Sequence, residues 1–362
     1  MTRKEPHIHG RGSQSRPAGR FERFDYDGGD DFAQPDDAGV VDPNRPPTEF
    51  LRDNSRSIIA RNDSPDVGFD ASINPYRGCE HGCVYCFARP THEFLGLSAG
   101  LDFETKIFVK HDAPALLRAA LQSPSWNPQV LGVSGVTDPY QPVERRLGLT
   151  RGCLEVLAEF GNPAVVITKN HLVTRDADLL GSLAGSNAAR VFVSITTLDA
   201  ALARTMEPRT SSPARRLDAI AALTAAGVPT GVLVAPVIPG LTDHEVPGII
   251  AAAARAGATR AGYVMLRLPH GVKSIFAEWL AVHQPERREK ILSRMRAVRD
   301  GKLYDARFGD RLRGSGIFAR QIAEMFALAC RRHGMNSSAE PLSTAAFRRP
   351  PGPQRDLFNP GG

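Results

Sequence analysis

Between about residues 67 and 285, short runs of β-branched and apolar residues alternate with longer stretches whose apolar residues recur at helical spacing. That alternation restricts the chain more than any other feature. The runs fall at 67–73, 106–109, 130–134, 164–168, 191–195, 230–235 and 261–267, and helical stretches fall at 113–121, 150–160, about 176–184, from Pro213 onward, and at 245–256. Continuous apolar runs read as strands buried on both faces, and parallel strands need helical crossovers of this length. Seven such strands predict an α/β fold, a partial or full (β/α) TIM-like barrel. In such barrels the chemistry sits at the C-terminal ends of the strands. Polar residues follow several of the runs there: Ser134 to Asp138, Lys169 and Asn170, Ser194 and Thr196, and Arg267 and His270.

The first run leads directly into Asn-Pro-Tyr-Arg-Gly-Cys-Glu-His-Gly-Cys-Val-Tyr-Cys-Phe, which places Cys79, Cys83 and Cys86 within eight residues. A four-iron cluster normally takes four cysteines. Three on one loop leave one iron open, the arrangement needed to hold S-adenosylmethionine (SAM) and pass it an electron. Gly78 and Gly82 allow the backbone to turn tightly and approach inorganic sulfide. Structural zinc is the competing reading, with His81 as a fourth ligand. A disulfide framework is disfavoured, because five cysteines in 362 residues are few and odd in number.

The ends differ from the middle. Residues 1–60 are rich in Gly, Pro, Asp and Arg and read as mostly disordered, since they carry too little apolar surface to offset ordering entropy. The core domain is expected over 65–300, a helical basic extension over 301–345 with an amphipathic helix at 318–332, and a flexible tail over 346–362. The net charge is +6, and residues 301–362 hold ten Lys/Arg against five Asp/Glu, so +5 of it lies in the last sixth of the chain. A phosphate-bearing partner would use that excess, although a solvated helix face and tail would show the same composition. No stretch is long and apolar enough for a membrane span, and the first residues lack an apolar leader, so a reducing cytoplasmic setting is expected.

The cysteine loop, ending in Phe87 at the start of a (β/α) repeat, resembles the radical SAM superfamily. The chain is similar in particular to the branch related to spore photoproduct lyase, through Gly-Val-Thr-Asp-Pro-Tyr-Gln-Pro-Val-Glu (135–144), Val-Ile-Thr-Lys (166–169), Val-Ser-Ile (193–195), Met-Glu-Pro-Arg-Thr-Ser-Ser-Pro-Ala-Arg-Arg (206–216) and Val-Ala-Pro-Val-Ile-Pro-Gly (234–240). The resemblance implies a barrel of the radical SAM type in which Cys79, Cys83 and Cys86 ligate a [4Fe-4S] cluster. It places Tyr85 and Phe87 near the adenine of SAM, and Ser134 and Gly135 near its amino group. Lys169, Ser194 and Arg216 are placed at its carboxylate and ribose, and the backbone around Val237 at the adenine. Glu207 and Arg216 are also spaced to pair with each other without any ligand, and Asp138 to cap the turn at Pro139.

The resemblance further implies an electron donor such as flavodoxin or ferredoxin, and hydrogen abstraction from a substrate, with nucleic acid the leading class (DNA repair or modification, lyase-like) and a protein or small metabolite the next. A DNA-associated protein with a structural or redox-sensing cluster is the alternative. The lyase carries a cysteine that returns hydrogen to the repaired thymine, where this chain has Gly135. Cys153 and Cys330 fall in helical stretches and read as buried apolar residues, so identical dimer repair is not expected. Gln354-Arg355-Asp356-Leu357-Phe358 resembles the bacterial sliding-clamp binding motif and would add the clamp as a partner.

Overall fold

The computed structural model describes residues 8–21, 46–133, 135–337 and 340–351. Among the described residues ten strands occur in chain order: β1 (Glu49–Arg52), β2 (Ile59–Arg61), β3 (Ala71–Ile73), β4 (Tyr76–Arg77), β5 (Lys106–Val109), β6 (Leu131–Val133), β7 (Ala164–Thr168), β8 (Ala189–Ser194), β9 (Thr230–Val237) and β10 (Arg260–Met265). The main sheet has the order β10-β9-β8-β7-β6-β3-β2. From β3 to β10 every pairing is parallel, in register through Ile73–Val133, Val133–Val166, Thr168–Val193, Ser194–Leu233 and Tyr263–Val234. Strand β2 adds antiparallel to β3. Six parallel strands in chain order, with β10 and β2 at opposite ends of the sheet, make a partial (β/α) barrel that leaves a seam.

The β-branched runs form these strands because their helix-facing residues are covered: Val133, Val166, Val191, Val193 and Val232 are fully buried in one core with Leu117, Leu154, Leu180 and Ile249 from the crossover helices, while alternate residues of β7, β8 and β10 are half-buried. Burial of such side chains contributes about 1.5–3 kcal/mol each. Local signals start the helices. Ser212 accepts the Arg215 N–H ahead of Pro213–Ala225, and Asp199 accepts the N–H groups of Ala201 and Leu202 ahead of Ala200–Met206.

One expected barrel strand is placed elsewhere. β5 pairs with β1 in parallel and β4 antiparallel, in a separate three-stranded sheet. Its alternate residues Ile107 and Val109 bury against Tyr76, Val143 and Leu149. β3 pairs directly with β6, so the barrel has no slot for it.

Both ends are more ordered than composition suggests wherever they are described. Residues 8–21 and 46–60 pack on the core through backbone hydrogen bonds, which apolar content does not register. At the other end, the helix Gly316–Arg332 packs beside Val246–Arg255, and the chain then runs along the N-terminal rim of the barrel. There the Asn336 N–H reaches Thr259 O at 2.9 Å, Ser343 N–H reaches Asn187 O at 2.8 Å, Arg348 N–H reaches Phe160 O at 2.8 Å, and Arg349 Nη2 reaches Trp126 O at 2.8 Å. Residue 351 therefore lies on the rim opposite the strand C-termini. The clamp-like string Gln354 to Phe358 lies outside the described residues.

Gly161 is where this belt presses hardest. It sits at φ +64°, and a Cβ there would run into the Ala346 carbonyl. Gly161→Ala is expected to lose about 1–3 kcal/mol in urea unfolding, from αL strain and displacement of the belt.

Candidate functional site

The cysteine loop leaves β4 through Gly78 (φ +82°) and turns again at Gly82 (φ +67°). A Cβ on Gly78 would meet His92 at 2.9 Å and Phe103 O at 3.0 Å, so only glycine fits. The loop is fastened by Cys79 N–H to Phe103 O at 2.9 Å and Val84 N–H to Met206 O at 3.0 Å. Wholly buried Arg89 braces it from below. Its Nε donates to Cys83 O at 2.9 Å, its Nη1 to Ala99 O and Gly100 O at 3.1 and 3.0 Å, and its remaining charge pairs with buried Glu104.

Cys79 and Cys83 are buried and Cys86 is partly exposed; all three are free thiols. Burial pushes the thiols of Cys79 and Cys83 well up, with Asp138, Cys83 and Cys86 adding to the rise at Cys79 and Glu207 at Cys83. Burial also raises Cys86, against Arg89 and the nearby backbone N–H groups. Such a pocket disfavours bare thiolates, so it suits thiolates whose charge a cation takes up. His81 does not join them: its Nδ1 lies 3.4 Å from Asp138 Oδ2 and its Nε2 lies 3.1 Å from Asn170 Nδ2, which occupies both ring nitrogens. The zinc reading thereby loses its fourth ligand. Among the described residues no three His, Cys, Asp or Glu side chains are placed to hold a single metal ion. A four-iron cube spreads its thiolates over separate irons, so that finding and the cluster are compatible.

Beside the loop, the ends of β7, β8 and β9 converge on a buried polar network. Lys169 Nζ donates to Ser194 Oγ and Thr196 Oγ1, each at 3.0 Å, and to Ala235 O at 2.8 Å, and lies 3.1 Å from Glu207 Oε1. Glu207 also takes the Tyr85 hydroxyl, Thr196 Oγ1 at 2.7 Å and the Arg216 guanidinium. Arg216 continues to Ser194 O at 3.0 Å and Ser211 O at 2.8 Å. Burial, with Arg216 beside it, lowers the Lys169 ammonium to about 7, against the pull of Cys83 and Asp138. The site thus holds a desolvated cation whose charge responds to what is placed against it.

The structure brings Tyr85, expected near the adenine, into one network with Lys169, Ser194 and Arg216, expected at the carboxylate and ribose. Sequence reading gave Thr196 only as a strand-end polar residue and Glu207 only as a partner for Arg216, whereas Glu207 joins four side chains. The Glu207–Arg216 pair does form. Asp138 is more than a turn cap. It accepts Tyr140 N–H at 2.9 Å, Thr168 Oγ1 at 2.7 Å and Lys169 N–H at 2.7 Å. Although burial alone would raise its carboxyl, His81 and these donors hold it below the usual carboxylate range.

Asn74 went unnoticed. Its Oδ1 accepts the N–H groups of Gly135 at 3.1 Å and Val136 at 3.0 Å, shaping the segment after β6. Ser134 lies outside the described residues. Phe87 is 45% exposed and carries the Arg267 guanidinium 4.2 Å from its ring centre, at the open mouth. Val237 is fully buried, and its carbonyl accepts Leu266 N–H at 2.9 Å, so that acceptor is not open to a ligand. Cys153 and Cys330 are buried in the apolar core, apart from the loop.

A family model described as the Radical SAM superfamily matches residues 73–253. An uncharacterized protein of Mycobacterium tuberculosis (strain ATCC 25618 / H37Rv) is 40% identical over 232 residues, 64% of this chain and 67% of its own length. An uncharacterized protein of Methanocaldococcus jannaschii is 29% identical over 176 residues, 48% of this chain and 62% of its own. Among solved structures, spore photoproduct lyase complexed with dinucleoside spore photoproduct superposes with a TM-score of 0.55 at 16% identity, covering 79% of this chain and 80% of its own. That last likeness is one of fold.

Replacing Glu207 by Gln keeps its shape and removes the charge that offsets Lys169 and Arg216. Urea unfolding of the protein free of metal and ligand is expected to show a loss of about 3–5 kcal/mol, as when one partner of a buried pair is removed.

Proposed function

The chain belongs to the radical SAM superfamily, and on that premise we propose that Cys79, Cys83 and Cys86 hold its [4Fe-4S] cluster, that the Lys169 network receives SAM, and that hydrogen is then abstracted from a nucleic-acid substrate. The cluster and SAM are the cofactors of this superfamily, and an electron donor is part of its chemistry. When bound, they supply one-electron reductive cleavage of the sulfonium to methionine and a 5′-deoxyadenosyl radical. The observation that carries the reading is the meeting of two buried thiols and a partly exposed third with a desolvated lysine beside the cysteine loop.

This chain's residues then have distinct tasks. Lys169, whose ammonium burial brings down to about 7, would offer its charge to the SAM carboxylate, an anion that favours the protonated form, and Ser194 and Thr196 offer hydroxyls beside it. Arg216 and Glu207 keep that cation in place. Gly135, oriented through Asn74, presents backbone towards the amino group. Tyr85 walls the chamber on the cluster side, and Phe87 with Arg267 forms its exposed lip. Val237 lines the wall with buried side-chain surface rather than with a free carbonyl. Water and stray hydrogen donors are kept out by this packing.

Nucleic acid is favoured as substrate by the basic excess of residues 301–362 and by the Arg267–Phe87 pair, an arrangement on which a base can stack. Lyase chemistry of the photoproduct kind is not proposed. The position of the lyase's hydrogen-returning cysteine is Gly135 here, and a Cβ there would meet Ser72 Oγ at 2.6 Å and require that side chain to move. Flavodoxin or ferredoxin in a reducing cytoplasm would serve as reductant. No helix among the described residues is long and apolar enough to cross a membrane. A clamp contact through Gln354–Phe358 would tether the enzyme by the end that leaves the rim opposite the chamber.

Anaerobic reconstitution with iron and sulfide, followed by dithionite and SAM, is expected to yield 5′-deoxyadenosine, and the Cys79→Ser, Cys83→Ser and Cys86→Ser variants none above background. An intact cluster with no 5′-deoxyadenosine would instead favour a DNA-associated structural or redox-sensing centre, and zinc alone in the purified protein would end the reading. With deuterated oligonucleotide present, transfer of deuterium to 5′-deoxyadenosine checks the substrate class.

A further inference from the structure

The barrel leaves a seam between its first unit, which carries the cysteine loop, and its last, which follows β10. Residues 8–21 cross it. On the first-unit side, Gly12 N–H and Ser13 N–H donate to the Glu104 carboxylate at 3.0 and 2.8 Å, and Arg11 Nη1 donates to Glu104 O at 2.9 Å. Gly12 lies backbone to backbone on Gly82, where a Cβ would drive into the Gly82 carbonyl. Leu101 N–H reaches Ser15 O at 3.1 Å, and Ser98 Oγ reaches Pro17 O at 3.0 Å. On the last-unit side, Ser15 Oγ donates to Glu278 Oε2 at 2.8 Å. Arg20 ties the two sides, pairing with Glu93 while its Nη1 meets His270 Nε2 at 3.1 Å.

Glu104 is the shared point. Its carboxylate is sealed from solvent and divided between Arg89, which holds the Cys83 carbonyl, and the two N–H groups of residues 12 and 13. Hydrogen bonds to a buried charge are strong, and leaving one unmade is costly. The partners of residues 8–21 include the cysteine loop, the segment 90–104 that braces it, Pro46 and Thr48, and the residues after β10.

We propose that residues 8–21 are a strap closing the cofactor chamber at the barrel seam, latched on Glu104, and that its attachment governs how readily oxygen reaches the cluster. Glu104 is accordingly a positioning residue, acting through Arg89 on one side and the strap on the other. This inference rests on the reading that Cys79, Cys83 and Cys86 hold a cluster.

The test uses the full chain and two variants, Ser13→Pro, which lacks the donated N–H, and Gly12→Val, which cannot approach Gly82. Loss of cluster absorbance in air-saturated buffer is expected to run about tenfold faster in both, the effect of one lost charge-assisted bond. In the metal-free proteins, trypsin should spare Arg11 in the parent and cut it in the variants, while the urea midpoint of the core changes little. Faster cutting at Arg11 with unchanged bleaching would overturn the protective role. Equal cutting in parent and variants would overturn the strap itself. Should either variant fail to fold, Arg20→Ala, which breaks the ties to Glu93, Pro90 and His270 and the cation–π contacts with Phe21 and Phe94, should shift both readouts in the same direction, and no shift would count against the proposal. A parent that takes up no cluster would defeat the cysteine reading, while the trypsin comparison would still decide whether the strap is latched.

Discussion

Two carboxylates sealed from solvent, Glu207 and Glu104, carry the structural burden of this site. A buried charge is tolerated only where partners replace its lost hydration, and here each carboxylate recruits its partners from distant parts of the chain. Glu207 draws Tyr85 from the cysteine loop, Lys169 from the end of β7, Thr196 from beyond β8 and Arg216 from the following helix. Glu104 draws Arg89 from the segment after the loop and Gly12 and Ser13 from the N-terminal stretch. The loop bearing the three thiols lies between these two centres. Its position therefore follows from charge compensation as much as from apolar packing.

The barrel supplies what the charges need. Six parallel strands in chain order bring their C-terminal ends to one rim, so residues separated by scores of positions meet within hydrogen-bond reach. Because the barrel does not close, the cysteine loop of the first unit can also pack against the last. Cys83, Val84 and Tyr85 share an apolar cluster with Leu266, Leu268, Val272 and Phe276. An unclosed seam gives access to a chamber of this kind and at the same time exposes it. The belt of residues 340–351 performs the opposite task on the far rim, where it ties the turns that enter β10, β8, β7 and β6 without touching the site.

Much of this was readable from residues. Local signals survive in any context: β-branched runs, Ser212-Pro213 at a helix start, and glycines flanking three cysteines. They indicate the strands, the crossovers and a tight loop carrying three thiols. The strand Lys106–Val109 shows where such signals stop. Its composition matches a barrel strand, but its pairing depends on β1 and β4, and pairing is a contact between segments that periodicity does not encode. Residues 8–21 show the same limit from the other side. Composition marks residues 1–60 as mostly disordered and does not single out 8–21, which are held by backbone N–H groups bonded to one buried carboxylate, because any sequence supplies N–H groups. Glu207 and Asn74 look like ordinary polar residues in the chain, because what distinguishes them is the number of partners and not their type.

The sequence by itself determined the class of fold and the chemistry of the loop, because three closely spaced cysteines and a repeated strand–helix period are local properties that no neighbour can alter. Only the tertiary structure decided that His81 is engaged elsewhere, that Lys169 is desolvated against Glu207 and Arg216, that Val237 has no free carbonyl, and that the N-terminal stretch spans the seam. Each of these depends on burial and on the meeting of distant segments, which exist only once the chain has folded.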